Sequence, residues 1–365
     1  MTDKATIGSD TWPGSWQAMV DIVGQDFGDD SIVWGADPVE RTGIRRLLEA
    51  FEFDCALHYD QVIAIEHGYA DIVAPAASVR VFAIPAMWEP GDDPIFTDPG
   101  KNAQPVRWPR PGWYPPMTPT TSAGIITDLE WDFLLPVVVG DHVGIKNRRR
   151  LVACTPKELR IGRGAFVTIE QTVVNQRHEI VALTRLTSFN YDPASGAGSH
   201  ALRMESSMQP DVTGAQRTLE QRHWEDAQEN EAASPVDFPL SLYRLVMMAG
   251  AVRDFSSIHH NEEIARWHGA PNVFANNTAV FIMWERALRD YIGLAGTITQ
   301  IRGLRMRSFN LVGDCVTVKA RVTRKWLDDD AAEKGYLELS IQTESSRGDI
   351  TVGPGHAIVT LPRRR

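Results

Sequence analysis

The sequence predicts an α+β protein made of two related units in tandem, each with helices first and an antiparallel sheet after them. Three observations carry this. Val139-Gly140-Asp141-His142-Val143-Gly144-Ile145-Lys146 matches Val312-Gly313-Asp314-Cys315-Val316-Thr317-Val318-Lys319 around a turn. Upstream, His67-Gly68 pairs with His268-Gly269, and the spacing between the two anchors is longer in the first half by roughly the length of a proline-rich stretch. Strand-like runs follow each turn.

In chain order, residues 1–36 are rich in Gly and Trp, and Trp12, Trp16 and Trp34 are expected to strap this segment onto a core. Asp37 suits a helix cap and Pro38 a first helical position, and Ile44, Leu47, Leu48 and Phe51 recur at helical spacing. A second helix precedes His67. The segment 85–119 holds ten of the 22 prolines, with Trp88, Trp108 and Trp113, so it is expected to be neither helix nor central strand. Strand-like runs over 125–135, 137–151, 166–174 and 180–191 follow.

The polar stretch 196–235 is expected to be a linker crossing the surface, which sets the units at 1–195, with the insertion at 85–119, and at 236–365. The second unit repeats the order of the first. Helices are expected over 240–249, 262–267 and 278–292, and strands complete it.

A chain of 365 residues suits two domains, and a net charge of −10 argues against nucleic-acid binding, which needs a basic face. The N-terminus lacks a basic start followed by an apolar run, and no stretch approaches the roughly 20 apolar residues that span a bilayer. The expectation is a soluble cytoplasmic protein without membrane or nucleic-acid partners. The three cysteines, Cys55, Cys154 and Cys315, lack disulfide or metal spacing and are expected to be reduced and buried.

The chemistry-bearing stretch is Arg253-Asp254-Phe255-Ser256-Ser257-Ile258-His259-His260-Asn261. It sets a carboxylate five residues before an imidazole. Ser256 and Ser257 favour turns over helix interiors, so a local turn can bring both groups onto one water as an acid–base pair. Backbone N–H groups near Asn276 and Asn277, at the start of the helix expected over 278–292, are outside its ladder and at its positive end, where a developing negative charge is stabilised.

Helices ahead of a Val-Gly-Asp turn and antiparallel strands after it, twice over, fit a double hot-dog, a curved sheet wrapped round a central helix in each unit. The chain resembles the MaoC-like (R)-specific enoyl-CoA hydratases and dehydratases in double hot-dog form, with a first half similar to the fatty-acid-synthase-type dehydratase N-terminal domain. Asp254 and His259 match that family's Asp-x-Asn-Pro-x-His-x-Asp motif; Ser256, Ser257 and Asn261 depart from it at Asn, Pro and the final Asp. In the first half His58 falls opposite His259 while Phe53 falls opposite Asp254, with Asp54 one place late, so that half is expected to be non-catalytic.

The resemblance implies a lyase of lipid metabolism that reversibly hydrates a 2-enoyl-CoA to a 3-hydroxyacyl-CoA, with Asp254 and His259 activating the water. It implies no cofactor beyond the coenzyme A of the substrate and no metal, and it leaves room for a homodimer or a heteromeric hydratase assembly. Arg302, Arg305 and Arg307 are candidates for the phosphates of coenzyme A, and Trp88 and Trp113 for the walls of a bulky acyl pocket. Two other readings stand beside this one. A hot-dog thioesterase would use Glu285, and a non-catalytic subunit of a heteromeric hydratase would show a degenerate motif in both halves.

Overall fold

The computed structural model describes residues 12–107, 113–194, 221–328 and 333–364, so Trp108 lies outside the described residues. The first unit runs α1 (Gln17–Asp21), β1 (Asp26–Phe27), β2 (Ile32–Trp34), α2 (Arg41–Phe51), α3 (Gln61–Glu66), α4 (Val79–Phe82), β3 (Ala123–Phe133), β4 (Gly144–Lys146), β5 (Arg149–Leu159), β6 (Gly162–Val174) and β7 (Ile180–Pro193). The second runs β8 (Val236–Pro239), α5 (Leu242–Ala251), α6 (Glu262–Trp267), α7 (Asn277–Ile292), β9 (Thr297–Arg302), β10 (Cys315–Leu327), β11 (Lys334–Ser345) and β12 (Ile350–Pro362). Trp16 is buried with Met19 against Leu151, Val167 and Ile169, which straps the N-terminal segment to the first sheet.

The repeated turn works identically in both units. Gly140 and Gly313 take φ near 90°, which only glycine adopts without strain, and the following aspartates accept from Val138 N–H at 3.0 Å and Leu311 N–H at 2.9 Å. Each turn also grips the segment before the first helix of its unit. Val39 N–H bonds Asp141 O and accepts from Gly140 N–H, and Leu240 does the same with Asp314 and Gly313. Those bonds keep residues 39 and 240 out of the helix, so α2 starts at Arg41 and not at Pro38, and α5 at Leu242 and not at Leu240.

The strands join into one antiparallel sheet in the order β1-β5-β6-β7-β3-β9-β12-β11-β10-β8, with β2 and β4 to the side. The units meet edge to edge where β3 pairs β9, Trp131 opposite Ile301 and Asp132 opposite Gln300. The run expected over 137–151 is two strands, broken at Asn147-Arg148 and continuing to Leu159. Pro156 sits in the far part of β5, where β6 is the neighbour on one side and the short β1 reaches only Arg149 and Arg150, an edge position that tolerates a missing N–H.

The two central helices differ. α7 has 16 residues, and Val280, Phe281, Ile282, Met283 and Trp284 bury consecutive positions of it in the core. Its counterpart in the first unit is a single 3-10 turn, Ala76–Ser78, followed by the four residues of α4. Pro85 stops it, because proline lacks the N–H a helix needs and disfavours helical geometry in the residue before it.

The expected surface linker, 196–235, is described only in part. Residues 196–220 lie outside the described residues, but 221–235 lie along the second sheet. Asn230 N–H donates to Val322 O at 2.8 Å, Ala233 N–H to Ala320 O at 2.9 Å and Trp224 Nε1–H to Tyr336 O at 3.2 Å. Among the described residues no helix is long and apolar enough to cross a membrane.

Candidate active site

The 253–261 stretch forms a tight loop between α5 and α6. Arg253 adopts a left-handed φ of 56°, as a helix-terminating residue does, and Asp254 N–H returns to Ala249 O at 2.9 Å. Asp254 Oδ1 accepts from Ser256 N–H at 3.3 Å, and the 3-10 turn Ser257–His259 then swings the ring back. His259 Nε2 comes to rest 3.4 Å from Asp254 Oδ2. Its Nδ1 donates to Phe274 O at 2.8 Å, which fixes the tautomer and turns Nε2 toward the carboxylate.

The pair lies at an opening. His259 is 6% exposed along its side chain, and Asp254 is 39% exposed along its own. Burial pushes the Asp254 carboxyl upward, but the neighbouring His259 ring, its hydrogen bond, the Ser256 N–H and the charge of Arg80 outweigh this and hold it below the usual carboxylate range. Asp254 is therefore ionised at neutral pH. Arg80 comes from α4 and stands over the Trp113 ring at 5.2 Å, so the first unit supplies a cation to the pair in the second. Sequence reasoning missed Arg80, because nothing local to α4 announces a partner in the other unit.

The start of α7 is close by, since Phe274 O, which holds His259, immediately precedes Ala275-Asn276. Asn276 is 2% exposed and caps the helix by accepting from Ala279 N–H at 2.6 Å, while Asn277 Nδ2 donates to Ile126 O at 2.8 Å. Both side chains are thus structural. The oxyanion expectation concerns the backbone there, and the N–H groups of Asn277 and Thr278 are first-turn amides that the helix cannot itself satisfy.

The first unit repeats the frame of this site with a different residue opposite Asp254. His58 Nδ1 donates to Val73 O at 2.7 Å, as His259 does to Phe274 O. Phe53 occupies the place of Asp254, its N–H returning to Leu48 O at 3.0 Å, and its ring packs edge-on against His58 at 5.1 Å. Asp54 is exposed. Burial, reinforced by Arg289, pulls the His58 imidazole down to about 3, so it stays neutral. Ala76 and Ala77 sit where Asn277 and Thr278 sit, and their N–H groups donate to Glu285 Oε1 at 2.8 Å and Oε2 at 2.6 Å. A carboxylate already fills that helix start.

Several expected residues have other partners. Glu285 is 1% exposed and spends both oxygens on Ala76 and Ala77, so it is no free base for a thioesterase. Arg302 makes two bonds to Asp132, at 2.9 and 2.8 Å, Arg305 pairs with Asp128 at 3.1 Å and Arg307 donates to Gly353 O. The first two thus bind β3 to the second unit. Trp88 is exposed and borders an open groove with Pro94, Ile95 and Phe96, while Trp113 lies between Arg80 and Arg149. The two tryptophans therefore have different surroundings, and only Trp113 adjoins a group that acts on Asp254. All three cysteines are buried, and burial pushes the Cys55 thiol up to about 11.

With this geometry, residues 22–184 match the family model of the FAS1-like dehydratase domain region. The chain is 26% identical over 164 residues to a probable enoyl-CoA hydratase alpha subunit of Thermomonospora curvata, 44% of this chain and 47% of that one. It thus spans about half the length of that curated relative. Among solved structures, a MaoC-like dehydratase superposes with a TM-score of 0.66 at 17% identity, covering 94% of this chain and 99% of that one. A putative MaoC domain dehydratase from Chloroflexus aurantiacus gives 0.61 at 13% identity, over 94% and 96%. A conserved Mycobacterium tuberculosis protein with a double hotdog fold gives 0.60 at 11% identity, over 93% and 96%. The fold class is the double hot-dog of the MaoC-like dehydratases. The chain shares that fold, and residues 22–184 are similar to the FAS1-like dehydratase domain region.

Proposed function

We propose that the protein reversibly hydrates a 2-enoyl-CoA to a 3-hydroxyacyl-CoA at Asp254 and His259. The observation that carries this is the 3.4 Å carboxylate–imidazole pair, partly open to solvent beside the start of α7. In the working state the pair holds one proton. As the water oxygen bonds to Cβ, Asp254 takes a proton from that water and His259 delivers one to Cα; transfer between the two then restores the pair. Charge gathers meanwhile on the thioester oxygen. In this reading the N–H groups of Asn277 and Thr278 receive it, and the first unit supports this by analogy, since Ala76 and Ala77 N–H bind the Glu285 side chain there.

The first unit serves as support and not as a second site. We further propose an acyl group larger than crotonyl, lodged toward α4 and Trp113, where the first unit has a short helix in place of a long one. The name of the Thermomonospora relative, an alpha subunit, supports assembly with a second subunit. An acyl-CoA panel tests the reading: loss of enoyl absorbance without thiol release is expected, and thiol release without hydration would overturn it.

A further inference from the structure

The proline-rich insertion reaches across to the loop that carries Asp254 and His259. Ser257 Oγ–H donates to Gln104 Oε1 at 2.8 Å, with Ser257 only 8% exposed. The Gln104 amide is itself fixed, its Nε2 donating to Asn102 O at 3.0 Å and to Ala103 O at 3.3 Å, so Oε1 faces the serine. Asn261 Nδ2 donates to Asn102 Oδ1 at 2.7 Å while its own Oδ1 caps α6 through Ile264 N–H. Lys101 and Asn102 both bind Glu263 in the first turn of α6. At the root of the insertion, Arg253 donates to Ile84 O at 2.8 Å and Pro85 O at 3.0 Å. The loop is therefore held at its start, middle and end by one foreign segment.

Two of these contacts coincide with departures from the hydratase motif. Ser257 stands where the motif has Pro, and Asn261 where it has the final Asp. A proline in a loop limits the conformations available to it; a serine does not. Here an external acceptor restrains the serine instead. Resting on the hydratase reading, we propose that Gln104 and Asn102 are positioning residues, which hold the Ser257–His259 turn so that His259 Nε2 faces Asp254.

The experiment is a double-mutant cycle on the full chain with Gln104→Ala and Ser257→Ala, read in enoyl-CoA hydration. Each single variant is expected to lower kcat about tenfold with KM within about twofold, because a misplaced acid–base group loses rate more than binding. The double variant should be no worse than either single, since both break one bond. Amide hydrogen exchange over 255–261 should rise in Gln104→Ala and Ser257→Ala, whether or not the substrate has been correctly identified. Unchanged exchange and kcat, or losses that multiply, would overturn the proposal. A wild-type protein that hydrates no enoyl-CoA, while exchange still rises in the variants, would instead sink the hydratase reading and leave the restraint intact.

Discussion

Phe53 packs edge-on against His58 at 5.1 Å in the first unit, in the position from which Asp254 faces His259 at 3.4 Å in the second. One substitution between homologous places separates a carboxylate–imidazole pair from a packed aromatic contact. A phenyl ring neither accepts a proton nor holds a water, and the buried neutral His58 beside it fits that role.

Asp254→Asn and His259→Ala are expected to lower kcat/KM by roughly two to four orders of magnitude, as loss of a positioned acid–base group does. Thermal melting should show both variants folded. Full activity in either folded variant would remove the pair from the reaction.

The pH dependence follows from the depressed pKa of Asp254. Its ionised form is the working one, so the acid limb of kcat/KM should fall below the ordinary carboxylate value of 3.8. Because the folded pKa is lowered, the group contributes stability above its unfolded pKa, and that contribution is lost as pH falls through the folded value. Replacing His259 by Ala removes the main stabiliser of the charge and leaves burial in force, so the Asp254 pKa should rise. Carboxylate titration by NMR measures this, and an unmoved Asp254 would contradict the coupling.

His58→Ala and Asp54→Asn should leave turnover within about threefold, since neither group takes part in proton transfer. Phe53→Asp should destabilise the protein without creating a second site, because the new carboxylate would be buried and the helix start beyond it already holds Glu285. Damage by His58→Ala equal to that of His259→Ala would make the first unit catalytic.

Glu285→Ala leaves one buried and one half-buried N–H group without an acceptor and is expected to cost about 2 kcal/mol, measured by denaturant unfolding. Turnover of the folded variant should persist. Abolished turnover at unchanged stability would favour the thioesterase reading instead.

Trp113→Ala should alter the ratio of kcat/KM between bulky enoyl-CoA substrates and crotonyl-CoA, because in the proposed reading the acyl group lodges against Trp113. Trp88→Ala, exposed and bordering its own groove, should leave that ratio unchanged. A ratio equal to one in all three proteins would confine the insertion to its restraint of the loop.

The sequence by itself determined what is repeated and local: the two units, the glycine-dependent turns at Gly140 and Gly313, and the turn-forming serines that bring Asp254 and His259 together. Periodicity and turn chemistry act over a few residues, so they leave a legible trace. Tertiary structure decided what joins distant residues. The short helical segment Ala76–Phe82 begins on Glu285, 209 positions from Ala76 along the chain, and the loop that carries Asp254 and His259 rests on Gln104, 153 positions from Ser257. Arg302 and Arg305 look from the sequence like a cationic cluster and become seam residues only once β3 lies beside β9. A carboxylate, an amide or a guanidinium carries no local preference for such a partner; the partner is set only when the packing of two units brings it within hydrogen-bonding distance.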